Sequence, residues 1–229
     1  MFNTLKISLY SIVVGFPLPI ILAIISNQLR VGKFRKIFQV TTYLPHFIST
    51  MVMCGMIILF LSPTSGLLAN VFKSVGITIP DLLSKPSHFA GVYVWSDVWQ
   101  HIGWDSIIYL AALSAIDPTY YEAATMDGAS RLQKIRHIEL PLLLPTAMIL
   151  LILRAGSLLS VGFEKVLLLQ NPLNLAGSEI ISTYVYKVGM VNFQYSYSTA
   201  IGLFNTVVNL IILLSVNWFS KRYTRTGLF

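Results

Sequence analysis

Five apolar runs, each about the length of a membrane crossing, leave this chain few folds to choose from: residues 7–29, 38–61, 90–116, 142–169 and 199–219. A helix needs about 20 predominantly apolar residues to cross a hydrocarbon core, and in lipid every backbone polar group must be paired inside the protein. The runs therefore predict an all-α, polytopic transmembrane helix bundle of about five spans, with residues 1–229 as one domain. With 55% hydrophobic and only 11% charged residues, the chain has apolar surface that no soluble class carries.

The basic residues alternate sides with the runs. Arg30, Lys33, Arg35 and Lys36 follow the first, Arg131, Lys134 and Arg136 precede the fourth, and Lys221, Arg222 and Arg225 follow the fifth. Those ten compare with three, Lys73, Lys85 and Lys187, in the other two loops. Basic loops stay in the cytoplasm, so the N-terminus is expected outside, the C-terminus inside, and the outer loops at 62–89 and 170–198. This distribution also accounts for the net charge of +7 without nucleic acid, because no recognition motif or basic face accompanies it. Cys54, the single cysteine, excludes a disulfide within the chain and reads as a packing residue. His46, His88, His101 and His137 have no ligand spacing with Cys or carboxylates, so no metal site is expected.

Several spans carry residues that lipid alone would reject. Pro17 and Pro19 interrupt the first and Pro45-His46 the second. In a bundle, neighbouring groups can satisfy the carbonyls that proline frees. The third holds Asp97, His101 and Asp105 at i, i+4, i+8, one helical face that should point inward, with Tyr93, Trp95, Trp99 and Trp104 suited to an interface or a stacking surface. The fourth holds Arg154 near its middle, Glu164-Lys165 near its outer end, and Gly156 and Ser160 as a close-approach pair. In the second outer loop, Tyr184, Tyr186, Tyr195 and Tyr197 are expected to meet an interface or a partner.

Between the third and fourth runs, residues 117–141 turn charged and capped. Asp117 can N-cap a short helix with Pro118 at its first position, and Gly128 can stop it in a left-handed turn. Ser130 with Gln133 has the spacing of a capping box, so a second short helix is expected to run to about His137, with Pro141 closing the loop. Within it stand Glu122-Ala123-Ala124, then Gly128, then Ile138-x-Leu140-Pro141. This pattern resembles the EAA loop of the membrane subunits of binding-protein-dependent ABC importers at every defining position. Gly162-Phe163-Glu164, 168–172 (LLQNP) and 183–186 (TYVY) resemble the permeases of complex-carbohydrate, polysaccharide or lipo-oligosaccharide, importers.

The resemblance implies a type I importer permease in the bacterial cell membrane, working with ABC ATPase subunits, a second permease as a heterodimer, and an extracellular solute-binding protein. It implies that Glu122, Ala123, Ala124, Met126, Asp127, Gly128, Ile138, Leu140 and Pro141 couple to the ATPase. It also implies another helix before Asn3-Thr4-Leu5, so the chain is expected either to lack the family's first helix or to translocate a short N-terminal tail. The sequence holds no phosphate-cradling G-x-x-x-x-G-K-[ST] loop, so no cofactor is expected in this chain, ATP being hydrolysed by the partner, and no catalytic triad context, so no enzyme. An ion-coupled secondary carrier and a structural subunit without a transport path are the alternatives. Counting about 1.5 Å per helical residue, Asp105 lies roughly 18 Å from the inner end and Arg154 about 20 Å. At matching depth the two are expected to pair, beside His101, Trp104 and Ser157, in either a substrate path or a purely structural ion pair.

Overall fold

The computed structural model describes residues 1–29, 32–63, 66–74, 81–224 and 227–228; Arg30, Pro80 and Arg225 lie outside the described residues. Those described form α-helices and no strand. In chain order they are α1 (Phe2–Gly15), α2 (Pro17–Gln28), α3 (Lys33–Tyr43), α4 (Thr50–Leu61), α5 (Leu67–Ser74), α6 (Pro86–Ser114), α7 (Pro118–Met126), α8 (Arg131–Lys134), α9 (Leu140–Gly156), α10 (Phe163–Leu169), α11 (Leu175–Ser178), α12 (Ile181–Tyr186) and α13 (Tyr195–Thr224).

Three helical stretches among the described residues are long and apolar enough to cross a membrane: Phe2–Gln28, Arg131–Gly156 and Tyr195–Arg222. The pair Lys33–Phe47 and Thr50–Leu61 passes only as one span bent by 97°. The second apolar run is therefore not one straight helix. Pro45 lies in a 3-10 turn, Leu44–Phe47, Ile48 is extended, and Ser49 starts α4 afresh by accepting the Val52 N–H. The third run is α6, whose 29 residues rise about 43 Å. It carries the polar face and sits centrally, packed against α1, α2, α3, α9 and α11.

Two apolar clusters hold α6 in place. Ile7, Met53, Cys54, Phe89, Val94 and Val166 close its N-terminal half; Ala23, Tyr109, Leu113, Leu143 and Ala147 close the other. Gly103 lets α3 come close, because a Cβ there would lie 2.0 Å from the Thr42 carbonyl oxygen. Of the two places open to these aromatics, Tyr93 takes the stacked one and is buried, while Trp95, Trp99 and Trp104 are exposed. The Tyr93 ring packs beside Phe89, and its hydroxyl accepts the Gly162 N–H at 3.1 Å.

Two boundaries differ from the sequence reading. Pro141 does not end the loop, because α8 continues through a π turn, Ile135–Glu139, directly into α9. Proline is tolerated at a helix start, and the π turn adjusts the register where Pro141 cannot donate. The fourth span does not run on to 169: α9 stops at Gly156, residues 157–162 turn, and α10 re-enters the bundle beside α4. Arg154 accordingly lies in the last turn of its helix rather than mid-span. Gly156 still serves close approach, since a Cβ there would meet Leu213 of α13 at 2.4 Å. Ser160 is beyond the helix and accepts from Asn209 Nδ2 at 3.2 Å. Along α13 the side chains of Leu203, Phe204, Val207, Leu210, Ile211 and Leu214 are exposed.

Candidate functional sites: a charged cavity and a capped inner loop

The cavity begins with a broken helix. Pro19 has no N–H to give the carbonyl of Gly15 four residues back, and Arg154 fills the gap, Nη1 donating to Gly15 O at 3.1 Å. That answers where the expected partner of Arg154 lies: it is a backbone carbonyl, and no ion pair joins Arg154 to Asp105 among the described residues. The two still line the same spaces. A water-sized void of about 10 Å³ has Asp97, His101, Asp105 and Arg154 in its wall. A cavity of about 140 Å³ lies on one side, walled by Arg154, Ser157, Tyr93 and Asp97, and another of about 250 Å³ on the other, walled by Arg154, Asp105 and Tyr109. Arg154 is common to all three.

A different ion pair anchors the polar face. Lys165 Nζ, on the re-entrant α10, donates to Asp97 Oδ1 at 3.3 Å. His101 Nδ1 lies 3.4 Å from the same carboxylate oxygen, one turn further along α6. Sequence reasoning put Lys165 at an outer end and missed this pair, because only the turn at 157–162 brings α10 back onto α6. The side chain of Lys165 is 5% exposed, and Tyr93 places its ring 5.4 Å below the ammonium. Trp104 does not wall any of the three spaces. It stacks instead on His46 of the 3-10 turn, ring centroids 4.4 Å apart and planes within 3°, with His101 against the other imidazole at 5.3 Å. Ser157, by contrast, does line the 140 Å³ cavity, with its hydroxyl donated to Arg154 O.

Beyond the C-terminal end of α6, the loop of residues 117–141 is built from local caps. Asp117 Oδ1 accepts the Thr119 N–H at 2.9 Å, which holds this exposed carboxyl below the usual aspartate range. Helix α7 ends in a paired C-cap: Ala129 N–H donates to Ala124 O at 2.8 Å and Gly128 N–H to Thr125 O at 3.1 Å. Gly128 has φ +74°, the left-handed conformation that a side chain resists. Ser130 N–H donates to Gln133 Oε1 at 2.7 Å and Gln133 N–H returns to Ser130 Oγ, completing the capping box. The result presents Glu122, Ala123, Asp127 and Gly128 bare, with Met126 88% exposed. Leu132, 74% exposed on the next turn, extends this apolar tip and was not singled out from sequence. Ile138, Leu140 and Pro141 lie in the continuous helix beyond, Ile138 half-buried and the other two exposed.

Residues 15–225 match the family model described as a binding-protein-dependent transport system inner membrane component. The chain belongs to this family. As a permease component it transports rather than catalyses. It is 38% identical over 227 residues to Protein LplB of Bacillus subtilis (strain 168), covering 99% of this chain and 71% of that one. The same identity and coverage hold for the polygalacturonan/rhamnogalacturonan transport system permease protein YteP of that organism. Among solved structures, the permease is similar to a chain of a bacterial alginate ABC transporter in complex with an alginate pentasaccharide-bound periplasmic protein. There the TM-score is 0.96 at 42% identity, covering 100% of this chain and 79% of that one. ATPase and solute-binding-protein partners follow from this family of transporters. The permease is embedded in a membrane.

Proposed function

We propose that this permease forms one half of the translocation path of an ATP-driven importer for an oligosaccharide derived from a polysaccharide, in the bacterial plasma membrane. The observation that carries the reading is α7, a helix capped at both ends, with no buried side chain and a bare tip of Glu122, Ala123, Gly128 and Met126. Small residues permit close backbone approach, Met126 fits an apolar slot, and Glu122 faces a basic group on an ATPase subunit, which hydrolyses ATP for this chain. Relatives named for polygalacturonan, rhamnogalacturonan and alginate transport support the substrate class. Arg154, Asp105, His101 and Ser157 supply hydroxyl-bonding groups along the path. The spaces around Arg154, about 140 and 250 Å³, are each smaller than the roughly 300–1,000 Å³ of a ligand pocket, as half a site would be. A second, non-identical permease supplies the other half.

The test uses the complex reconstituted with its ATPase and binding protein. Uptake of oligogalacturonate or oligoalginate should require ATP and survive collapse of the proton gradient. Gly128→Asp and Glu122→Arg should insert and assemble normally yet lower uptake about 5- to 150-fold, the usual range of a coupling free energy. Wild-type uptake by both variants, with the ATPase bound, would sink the coupling role.

A further inference from the structure

Glu139 occupies the unspecified position of Ile138-x-Leu140-Pro141, so the loop pattern does not require a carboxylate there. Its side chain is nevertheless 0% exposed. One oxygen, Oε1, collects three donors: Gln28 Nε2 at 2.8 Å, Asn27 Nδ2 at 3.2 Å and the Tyr121 hydroxyl at 3.3 Å. The other, Oε2, is buried without a hydrogen-bond partner, and no cation pairs with the carboxyl among the described residues. Such a group is costly to bury, and an apolar side chain of similar volume would fill the space at lower cost.

What the carboxyl does geometrically is join three elements. Asn27 and Gln28 end α2, Tyr121 is in α7, and Glu139 closes the π turn ahead of α9. Helix α7 has no buried residue of its own. Among the described residues its side-chain bonds to other elements are Tyr121 to Glu139 and the exposed Lys134 Nζ to Thr125 Oγ1 at 2.7 Å. Water competes for the second, whereas the first reaches a fully buried acceptor. Burial pushes the Tyr121 phenol up to about 12, with the Glu139 charge adding to the shift, so the hydroxyl stays a donor throughout the physiological range.

We propose that Glu139 is a positioning residue that locks the coupling helix α7 to the inner end of the first span, so that α7 and α2 move as one body when the ATPase acts. This rests on the importer reading above, and the experiment separates the two. Spin labels are placed in the full complex at exposed Tyr120 of α7 and Ile25, and in a control pair at Tyr120 and Phe193, in a Cys54→Ala background. Distances are measured without nucleotide and after trapping with ATP and vanadate.

The joint predicts that trapping shifts the control pair and leaves the Tyr120–Ile25 distance unchanged. Tyr121→Phe and Glu139→Ala should make that distance shift or broaden on trapping, and Glu139→Gln, which keeps an acceptor at Oε1, should restore it. With complex yield unchanged, Tyr121→Phe should lower uptake per ATP hydrolysed about 5-fold or more, a ratio that a purely stabilising role would not move. A Tyr120–Ile25 shift without either substitution, or an unchanged distance in both Tyr121→Phe and Glu139→Ala, overturns the joint. A control pair that does not move overturns the coupling reading itself, and the joint with it.

Discussion

The two carboxylates Asp97 and Glu139 are accommodated in opposite ways. Asp97, beside the cavity, has a cation from another element, Lys165, and an imidazole from its own helix. Glu139, in the π turn ahead of α9, has amide and phenol donors only and one oxygen with none. A charge pair is strong and unforgiving, because losing one member strands the other. Neutral donors are worth about 0.5–1.5 kcal/mol each, or somewhat more to a charged acceptor, and can be removed singly. The cavity is thus held by one pair whose members cannot be spared, and the joint of α2, α7 and α9 by three bonds that can be cut one at a time.

Substitutions that separate these two modes test the contrast. The largest effect is expected at Lys165→Ala, which leaves Asp97 without its cation and should cost about 3–5 kcal/mol in unfolding measurements on the purified permease. Asp97→Asn with Lys165→Gln should recover most of it. A single-variant loss under about 1 kcal/mol would mean that the pair behaves like an exposed one and would erase the distinction.

Next comes Arg154, whose bond is to a carbonyl rather than to Asp105. Arg154→Gln should cost about 1.5–3 kcal/mol, the worth of a charged hydrogen bond, whereas Asp105→Asn should stay within about 0.5 kcal/mol. Equal losses at the two positions, with recovery in the double variant, would restore the direct pair expected from depth alone.

The smallest effects belong to the inner caps. Ser130→Ala should cost about 0.5–2 kcal/mol and show as faster amide exchange in the turn that follows. At Asp117 the folded carboxyl lies below its ordinary value, so its cap is fully present above the unfolded value and is lost as pH falls through the folded one. Exchange at the Thr119 amide should rise over that acidic window.

How far the sequence reached depended on how local each feature is. Asp117, Gly128, Ser130 and Gln133 act within three or so residues of their partners, and the structure places each cap where spacing put it. The expected interruption at Pro45-His46 is there too, although nothing in the residues forecasts a 97° bend. Continuous hydropathy hid the break at 157–162, since Leu158 and Val161 keep the fourth run apolar while the backbone leaves the helix there. That one break decided which charges meet. It carried Lys165 to Asp97, while the separate break at Pro45 placed His46 on Trp104 and took that ring out of the expected constellation.

By itself, then, the sequence determined helices of membrane length, the gathering of basic residues in alternate loops and the capped loop that carries the family pattern. These follow from hydrophobic length, charge sign and short-range hydrogen bonding, none of which needs a neighbour. Only the tertiary structure decided the partners of the buried polar groups: Arg154 on Gly15, Lys165 on Asp97, and Glu139 on Asn27, Gln28 and Tyr121. A buried polar group must be satisfied by whatever the packing brings within about 3 Å, and in a helix bundle that is set by helix breaks and crossings rather than by distance along the chain.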